Sequence, residues 1–349
     1  MKNIRRANPK DNESLHLLTE SLPMEGDFSL RIERKPDFFA LLQIRGDSET
    51  YLVSHHEKIE GSITVSKKEY LIKGKAHPSA IISDVKFLNM RNTTNFARLL
   101  QFTYKKIKQD NQLNSLFVTI AEGNTKIEGV LSGRVGLPKF HRIANFDILQ
   151  LLSKKKTFDH PNIHKADLNI SEGILEYYKS YLQHYDLANS PVAIDLDTEE
   201  EYYYKEGDKI VAAIRLMDTR HLKQNVLLRA PMSINLALSI LRILKKPLGL
   251  PKIPKVGMSI DMLYIRYYAC EEGAVESLMK LIEFARHRAY QKNLTFLSVA
   301  ISEHVNILKP IKKKFFHLTF KSSLYQAPLK SQPLKKEEKL LCFEDYAVV

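Results

Sequence analysis

Apolar and polar positions along the first half of this chain predict alternating strands and helices. Runs of apolar residues predict strands, and apolar residues spaced three and four positions apart predict amphipathic helices. Asn8 and Pro9 have the residue types of a helix start, so a helix is expected after the first strand. The predicted elements that follow are a hairpin of Tyr51 to Ser54 against Ser62 to Ser66, a strand from Ala80 to Leu88, a helix carrying Phe96, Leu99, Leu100 and Ile107 on one face, and a strand from Leu116 to Ala121.

The second half repeats this order. A hairpin turned by Gly207-Asp208 precedes a strand, an amphipathic helix and another strand. The members of this second set are the hairpin strands Glu201 to Tyr204 and Ile210 to Arg215, the strand Met262 to Tyr268, the helix with Leu278, Leu281, Ile282, Ala285 and Ala289 on one face, and the strand Phe296 to Ile301. Repetition of element order indicates duplication of one fold, although two unrelated α/β domains would give a similar pattern.

A polar stretch interrupted by Pro161 is the best candidate for a boundary between the halves. We therefore expect an N-terminal domain at 1–152, a linker at 153–168 and a C-terminal domain at 169–349. The longest apolar run, Met232 to Leu244, is too short to cross a bilayer and contains Arg242, so it predicts a buried helix.

Composition limits the class of protein. The chain has 349 residues and a formal net charge of +13, which suits a polyanionic partner such as nucleic acid, an acidic protein or the phosphates of coenzyme A. Its basic residues are scattered, which argues against dedicated nucleic-acid binding. The N-terminus lacks the apolar stretch of a secretory signal, so a cytoplasmic location without a membrane partner is expected. Cys270 and Cys342 are expected as reduced thiols in apolar strands.

The segment from Asp84 to Leu100 carries the clearest candidate chemistry. It predicts a strand that passes through a short turn into the N-terminus of a helix. Free backbone amides and the helix dipole at such a turn attract a pyrophosphate, and Arg91 would add a charge-assisted contact. Asn92, Thr93 and Thr94 are also ordinary helix-capping residues, so a purely structural role is the alternative.

The same segment resembles the cofactor loop of the GNAT superfamily of acyl-CoA N-acyltransferases, Gln/Arg-x-x-Gly-x-Gly/Ala. Arg91 matches the first position, whereas Thr94 and Phe96 replace the two small residues and would crowd the approach of a pyrophosphate. Ser322 to Tyr325 resembles the closing strand of tandem GNAT proteins. The resemblance implies an α/β protein of two tandem GNAT-like domains, with mixed, mostly antiparallel sheets flanked by helices. The second copy is more diverged, since Cys270 to Ala274 stands in place of the loop.

By the same resemblance, the strand from Asp84 to Leu88 would pair with the pantetheine arm, and the next strand would splay from it to admit the acyl group. No tyrosine follows Leu116 to Ala121 closely enough to be an obvious general acid. Asp84 is the nearest candidate base, with a solvated strand carboxylate as the alternative. The implied cofactor-binding residues are Val85, Phe87, Arg91, Asn92, Thr93, Thr94, Asn95, Phe96 and Asn124.

The resemblance implies an acyltransferase, most simply an acetyltransferase, that uses acetyl-CoA or another acyl-CoA and a small-molecule or protein amine. A GNAT-derived binding or regulatory protein without turnover, and an enzyme that takes its donor from an acidic acyl carrier protein, remain alternatives. Two other patterns carry weaker metal hypotheses, and no metal is expected at either. They are His160 and His164 beside Pro161, and the carboxylates from Asp195 to Glu201. Tyr202 to Tyr204 fit a strand with two faces better than base stacking.

Overall fold

The structure is a computed structural model that describes residues 2–24, 28–56, 58–88, 93–133, 137–155, 158, 160–250, 253–330, 334 and 339–349. The strands are β1 Lys2–Arg6, β2 Ser29–Glu33, β3 Asp47–His55, β4 Lys58–Ile72, β5 Lys75–Phe87, β6 Ser115–Ala121, β7 His141–Leu152, β8 Ile163–Lys165, β9 Leu187–Asn189, β10 Glu199–Glu206, β11 Lys209–Asp218, β12 Gln224–Arg229, β13 Met262–Cys270, β14 Phe296–Ser302, β15 His317–Pro328 and β16 Cys342–Phe343. The helices are the 3₁₀ helix η1 Pro9–Asp11 and α1 Asn12–Ser21, α2 Ala40–Arg45, α3 Thr93–Gln109, α4 Thr125–Leu131, α5 Leu168–Leu182, α6 Met232–Ile243, α7 Lys245–Leu248, α8 Val275–Gln291 and α9 Leu308–Lys314.

A single mixed sheet runs through both halves of the described chain, in the order β1-β3-β4-β5-β6-β15-β7-β14-β13-β11-β10-β8. Most neighbouring strands are antiparallel, and β5 with β6 and β13 with β14 are parallel pairs. β9 adds to β4 and also pairs with β16, while β2 and β12 form a separate two-stranded sheet. The α/β class, the two hairpins and both strand-helix-strand units are confirmed.

The closing strands of the two halves exchange places. β15, from the second half, lies between β6 and β7, and β7, from the first half, lies between β15 and β14. Ser322 to Tyr325 belongs to β15, so the predicted closing strand is confirmed. The boundaries at 152 and 168 stay a prediction, although β8, inside the expected linker, joins the sheet beside β10.

Helices cover the sheet through the faces that the sequence periodicity predicts. Phe96, Leu99, Leu100 and Ile107 of α3 are buried against the strands of the first half. The five apolar positions predicted for α8 are buried against the second half. Asn8 caps η1 and forms a reciprocal capping box with Asp11, as its position before Pro9 predicts.

The helix predicted over Met232 to Leu244 is confirmed as α6, but the prediction that it is buried was wrong. α6 buries Leu238 and Leu241, but a second apolar face is exposed to solvent. Periodicity failed here because the helix is apolar on two faces, and the sequence does not show which face meets the core. In the described residues, no helix is long and apolar enough to span a membrane.

Candidate functional site

The parallel strands β5 and β6 separate after a short common stretch. Their ladder joins Ser79–Ile81 to Ser115–Phe117, whereas β5 continues to Phe87 and β6 to Ala121. We call the space between the diverging ends the first cleft. Because the ladder ends, the edge of β5 that faces β6 has backbone groups free to pair with an extended ligand.

A bulge in β5 accompanies this divergence. Ser62 lies opposite Lys86 and Thr64 lies opposite Ser83, so Asp84 and Val85 together face a single residue of β4. Asp84 has a positive φ of 50°, in the left-handed region that few residues other than glycine adopt. A bulge increases local twist and re-aims side chains. This one turns β5 away from β6 and directs Asp84 towards the interior of the protein.

Two buried arginines hold the Asp84 carboxylate. Nη2 of Arg34 donates to Oδ1, and Nη1 of Arg45 donates to Oδ2 at 2.8 Å. Arg45 also donates to Ser83 Oγ at 2.9 Å and, through Nε, to the backbone oxygen of Val348. Burial pushes the pKa of Asp84 up, but the two guanidinium groups outweigh burial and hold this pKa well below its usual range.

Arg34 has N–H groups left to donate after its pairing with Asp84. Its side chain is 2% exposed, and its guanidinium stacks over the Phe38 ring at 4.8 Å. Within the described residues, no protein atom accepts a hydrogen bond from its Nε or Nη1. Buried donors without partners are costly, and they concentrate where ligands bind.

Lys223 is a third buried cation near this cluster. Its Nζ donates to the backbone oxygen of Val349 at 2.9 Å and lies 5.1 Å from the Tyr264 ring centroid. Burial, helped by the charges of Arg45 and Arg34 and opposed by Asp345 and Asp84, lowers the pKa of Lys223 to about 7. A substantial share of this amine is therefore uncharged near neutral pH.

A cavity of about 1260 Å³ connects the first cleft with these side chains. It runs from the first cleft past β15 and β7 to the beginning of β13. Its polar lining includes Arg34, Arg45, Lys68, Asp84, Lys86, Glu122, Asn124, Gln150, Lys223, Asn225 and Ser298, and its apolar lining includes Leu22, Phe28, Leu30, Ile82, Val85, Phe87, Val118, Ile120, Ile148, Ile234, Ile260, Met262 and Phe320.

The predicted site residues divide into three groups. Asp84, Val85, Phe87 and Asn124 line the cavity. Arg91 and Asn92 lie outside the described residues, as does the side chain of Thr93 at the start of α3. The remaining three, Thr94, Asn95 and Phe96, do not line the cavity.

Phe96, which replaces a small residue of the family's cofactor loop, does not block the first cleft. Its ring is buried and packs against Phe87, with centroids 5.4 Å apart. Asn95 is also buried, and its Nδ2 lies 3.5 Å from Glu60 Oε2, whereas Thr94 is exposed. The benzyl group that replaces a small residue therefore occupies the hydrophobic core beneath α3.

Sequence reasoning missed Arg34, Arg45 and Lys223. Arg34 and Arg45 precede Asp84 by 50 and 39 positions, and Lys223 belongs to the other half of the chain. None of the three stands in a recognisable motif. The apolar stretch from Phe38 to Leu42, which ends just before Arg45, was the available signal for a buried segment.

The second parallel pair forms a comparable cleft. The ladder of β13 and β14 joins Met262–Tyr264 to Phe296–Ser298 and then ends, although both strands continue. Arg215 faces Tyr267 and Leu216 faces Ile265, so Arg266 is a bulged residue as Asp84 is. We call this space the second cleft.

Residues 339–349, the C-terminal segment, contact both strands of the second cleft. β16 lies against β14, and Phe343 stacks on Tyr267 of β13 with centroids 5.8 Å apart. Arg266 donates to Asp345 at 2.8 Å and to Glu199 at 2.6 Å. The C-terminal segment therefore packs against both strands of the second cleft.

Solved structures with a similar architecture include N-acyltransferases. N-myristoyltransferase of Saccharomyces cerevisiae with bound myristoyl-CoA aligns over 93% of this chain and 78% of its own, at a TM-score of 0.60 and 12% identity. The fold is that of the GNAT superfamily. A GCN5-related N-acetyltransferase from Anabaena variabilis covers 93% of this chain and 72% of its own, at a TM-score of 0.54 and 11% identity.

A third structure supports the same GNAT fold. A conserved protein from Enterococcus faecalis, described as a probable N-acyltransferase, covers 95% of this chain and 73% of its own, at a TM-score of 0.50 and 9% identity. No family model and no curated protein matches the sequence. The resemblance to tandem GNAT proteins is therefore confirmed at the level of the fold.

The residues of the two weaker metal hypotheses contact protein groups within the GNAT fold. Asp195 accepts from Thr198 Oγ1 at 2.9 Å within a turn, while Glu199 and Glu201 pair with Arg266 and Arg215. His164 stacks on Tyr203. Among the residues that the structure describes, no group of three or more His, Cys, Asp or Glu side chains is arranged to hold a metal ion.

Three other expectations concern strands. Tyr202 to Tyr204 lie in β10 as predicted, and all three are buried. Cys270 and Cys342 are free, buried thiols in strands, also as predicted. Burial raises the pKa of Cys270 to about 11, which keeps this thiol protonated and unreactive.

Proposed function

We propose that the protein is an N-acyltransferase that transfers an acyl group from acyl-CoA to an amine. The observation that supports this most directly is the first cleft, where two parallel strands of a GNAT fold diverge at a bulge and open into a large cavity. The free edge of β5 suits the amides of a pantetheine arm, which would add to it as an extended strand does. Val85 and Phe87 would flank the arm.

The size of the cavity favours a long acyl chain over acetyl. Ligand pockets commonly measure about 300 to 1,000 Å³, and this one reaches about 1260 Å³ with many apolar side chains in its wall. An acetyl group would leave most of this space unfilled. The yeast structure with the same fold holds myristoyl-CoA. We therefore propose a medium- or long-chain acyl donor, carried by coenzyme A or by an acyl carrier protein.

Transfer requires an uncharged amine, whose nitrogen forms a bond to the thioester carbon while the carbon–sulfur bond breaks. The nitrogen then gives up a second proton, which the departing sulfur takes up to leave as a thiol. Both carboxylate oxygens of Asp84 are engaged by arginines, which makes Asp84 a weak proton acceptor. Lys223 is better suited, because its pKa of about 7 leaves a substantial uncharged fraction. In this proposal Lys223 accepts the proton of the incoming ammonium group, and Arg34 donates to the carbonyl oxygen as negative charge develops there.

Calorimetric titrations with myristoyl-CoA and acetyl-CoA, followed by assays of thiol release with a panel of amines, test the function. We expect myristoyl-CoA to bind more tightly and to release thiol when a suitable amine is present. If neither thioester binds, the assignment fails. Competition between myristoyl-CoA and an acyl carrier protein loaded with the same chain would identify the natural donor.

A pH profile tests the role of Lys223 separately. The rate should rise through about pH 7 as this amine loses its proton. Lys223→Met should lower kcat by at least about tenfold and remove the rise, and Lys223→Arg should do the same, since arginine stays charged. A rate that stays flat across this range in the unmodified protein, with a large loss in Asp84→Asn, would instead favour Asp84 as the base.

A binding protein without turnover is the second candidate. The pairing of Asp84 with two arginines favours it, because the carboxylate first considered as a base is committed to an ion-pair network. Tight binding of acyl-CoA without thiol release, with every amine in the panel, would support this candidate.

A further inference from the structure

The outer face of α6 is an apolar surface with no partner in the described structure. Met232, Leu236, Ile240 and Ile243 follow one another at helical spacing, and their side chains are 88%, 61%, 47% and 78% exposed. We call these four residues the α6 stripe. Single exposed apolar residues are common, but a continuous row on a regular helix marks an interaction surface.

The polar residues of α6 do not cover this stripe, because they bond to nearby protein groups. Asn235 donates to the Ala230 carbonyl oxygen at 2.8 Å, and Ser239 donates to that of Asn235 at 2.8 Å. Arg242 reaches Ser239 at 2.7 Å and the Pro254 carbonyl oxygen at 3.1 Å. These hydrogen bonds hold the polar side chains away from the outer face of α6, which therefore stays apolar.

All the charged residues in the chain around α6 are basic. From Arg229 to Ile260 there are six lysine and arginine residues and no aspartate or glutamate. Lys245 and Lys246, at the end of the stripe, are exposed, as is Lys255 in the loop that follows. Lys155 approaches Gly249 from another part of the chain and adds to the positive charge.

We propose that the α6 stripe and the lysines beside it dock on an anionic membrane surface. The stripe spans about 17 Å, and interfacial helices of this kind insert their apolar face about 5 to 10 Å while lysines meet the headgroups. The absence of carboxylates from 229–260 suits anionic lipid. This inference replaces the expectation of no membrane partner.

The position of α6 links this surface to the cavity. Pro231, Ser233 and Ile234 line the cavity, whereas the stripe lies on the outside of the same helix. Membrane docking would therefore bring the cavity close to lipid. The docking proposal stands whether or not the protein transfers acyl groups.

Flotation with vesicles tests the proposal on the full-length protein. We expect strong binding to phosphatidylcholine vesicles that contain about one-third phosphatidylserine, weak binding to phosphatidylcholine alone, and a loss of binding at high salt. Leu236→Ser combined with Ile240→Ser and Ile243→Ser should reduce binding at least about tenfold. Lys245→Glu with Lys246→Glu should reduce binding to the anionic vesicles by about tenfold and leave binding to phosphatidylcholine alone unchanged.

A matched control uses exposed leucines elsewhere on the surface. Leu17, Leu168 and Leu196 are 63%, 61% and 47% exposed, so changing all three to serine removes comparable apolar surface without touching α6. This control should bind vesicles as the unmodified protein does. All variants should keep the original thermal midpoint, because the changed side chains are exposed.

Three results would overturn the proposal. One is failure of the unmodified protein to float with anionic vesicles, as expected if the stripe instead binds another protein. Another is binding that the stripe substitutions do not affect. The last is a concentration-dependent dimer in sedimentation velocity that the stripe substitutions abolish, since a second copy of the chain would then occupy the surface.

Discussion

The first and second clefts have the same backbone geometry but differ in what lies beside their strands. Each lies between parallel strands whose ladder ends early, and each has a bulged charged residue, Asp84 in β5 and Arg266 in β13. The first cleft opens into the large cavity, whereas the C-terminal segment contacts both strands of the second. The same geometry can thus serve as a ligand site or as a docking site for the protein's own chain.

The bulged residues also differ in the sign of the charge they bury. Asp84 is a carboxylate between Arg34 and Arg45, and Arg266 is a guanidinium between Glu199 and Asp345. The first arrangement leaves an excess of positive charge beside the cavity, which suits an anionic or electron-rich ligand. The second fixes the C-terminal segment in place.

The largest expected effect is on the second cleft. Arg266→Met would leave the carboxylates of Glu199 and Asp345 buried without their cation, and such a loss typically costs about 3 to 5 kcal/mol. Chemical denaturation should show a drop of this size in the free energy of unfolding. Lys209→Met removes the exposed pair with Glu271 and should cost less than about 1 kcal/mol. Equal losses in the two variants would contradict a structural role for Arg266.

Asp84→Asn should have a somewhat smaller effect on stability, about 2 to 4 kcal/mol, because Arg34 and Arg45 would lose their counter-charge but remain beside the open cavity. The same denaturation experiment measures this effect. Added chloride or phosphate should recover part of the loss in this variant, because an anion that enters the cavity can balance Arg34 and Arg45. It should recover none in Arg266→Met, where the groups without a partner are carboxylates. Equal recovery in both variants would indicate a general effect of salt and not an anion bound beside the two arginines.

A carboxylate of the C-terminal segment should make the stability of the protein sensitive to pH. Burial, opposed by Lys68 and the Tyr70 hydroxyl group and helped by Asp345, raises the pKa of Glu344 to about 7. The folded protein therefore holds this proton more tightly than the unfolded chain does. The free energy of unfolding should fall as the pH rises from about 4 to about 7, by about 3 kcal/mol at most.

Glu344→Gln isolates this contribution. The variant should lack that part of the pH dependence, so its stability relative to the unmodified protein should improve steadily from pH 4 to pH 7. Asp84 should contribute little over this range, since its lowered pKa confines most of its effect on stability to pH values below about 4. A constant difference between Glu344→Gln and the unmodified protein would show that Glu344 does not titrate there.

The smallest effect concerns binding in the first cleft. Val85→Trp places a large ring where the half-buried Val85 lines the cavity, so myristoyl-CoA affinity should fall at least about tenfold. Val192→Trp, at a valine that is 47% exposed, should leave affinity unchanged. Calorimetry gives both values. Undiminished affinity in Val85→Trp would show that the ligand does not enter the first cleft.

Much of the fold could be predicted from the sequence because the elements follow from short patterns of neighbouring residues. The face of α3 that contains Phe96 and the closing strand around Ser322 both followed from short patterns in the chain. The pairing of Asp84 with Arg34 could not be predicted in this way, since it joins distant positions through the tertiary fold. Neither could the exposure of the α6 stripe, because hydrophobicity alone does not show which apolar face has a partner.

The exchange of β7 and β15 has a consequence for synthesis of the chain. β6 forms one wall of the first cleft, and its neighbour on the side away from β5 is β15, which belongs to the second half. A ribosome that has made only the first half has produced β5, β6 and α3, but not the strand that supports β6. The first cleft can therefore be completed only after β15 has been synthesised, and until then β6 presents an unpaired strand edge for chaperones to protect.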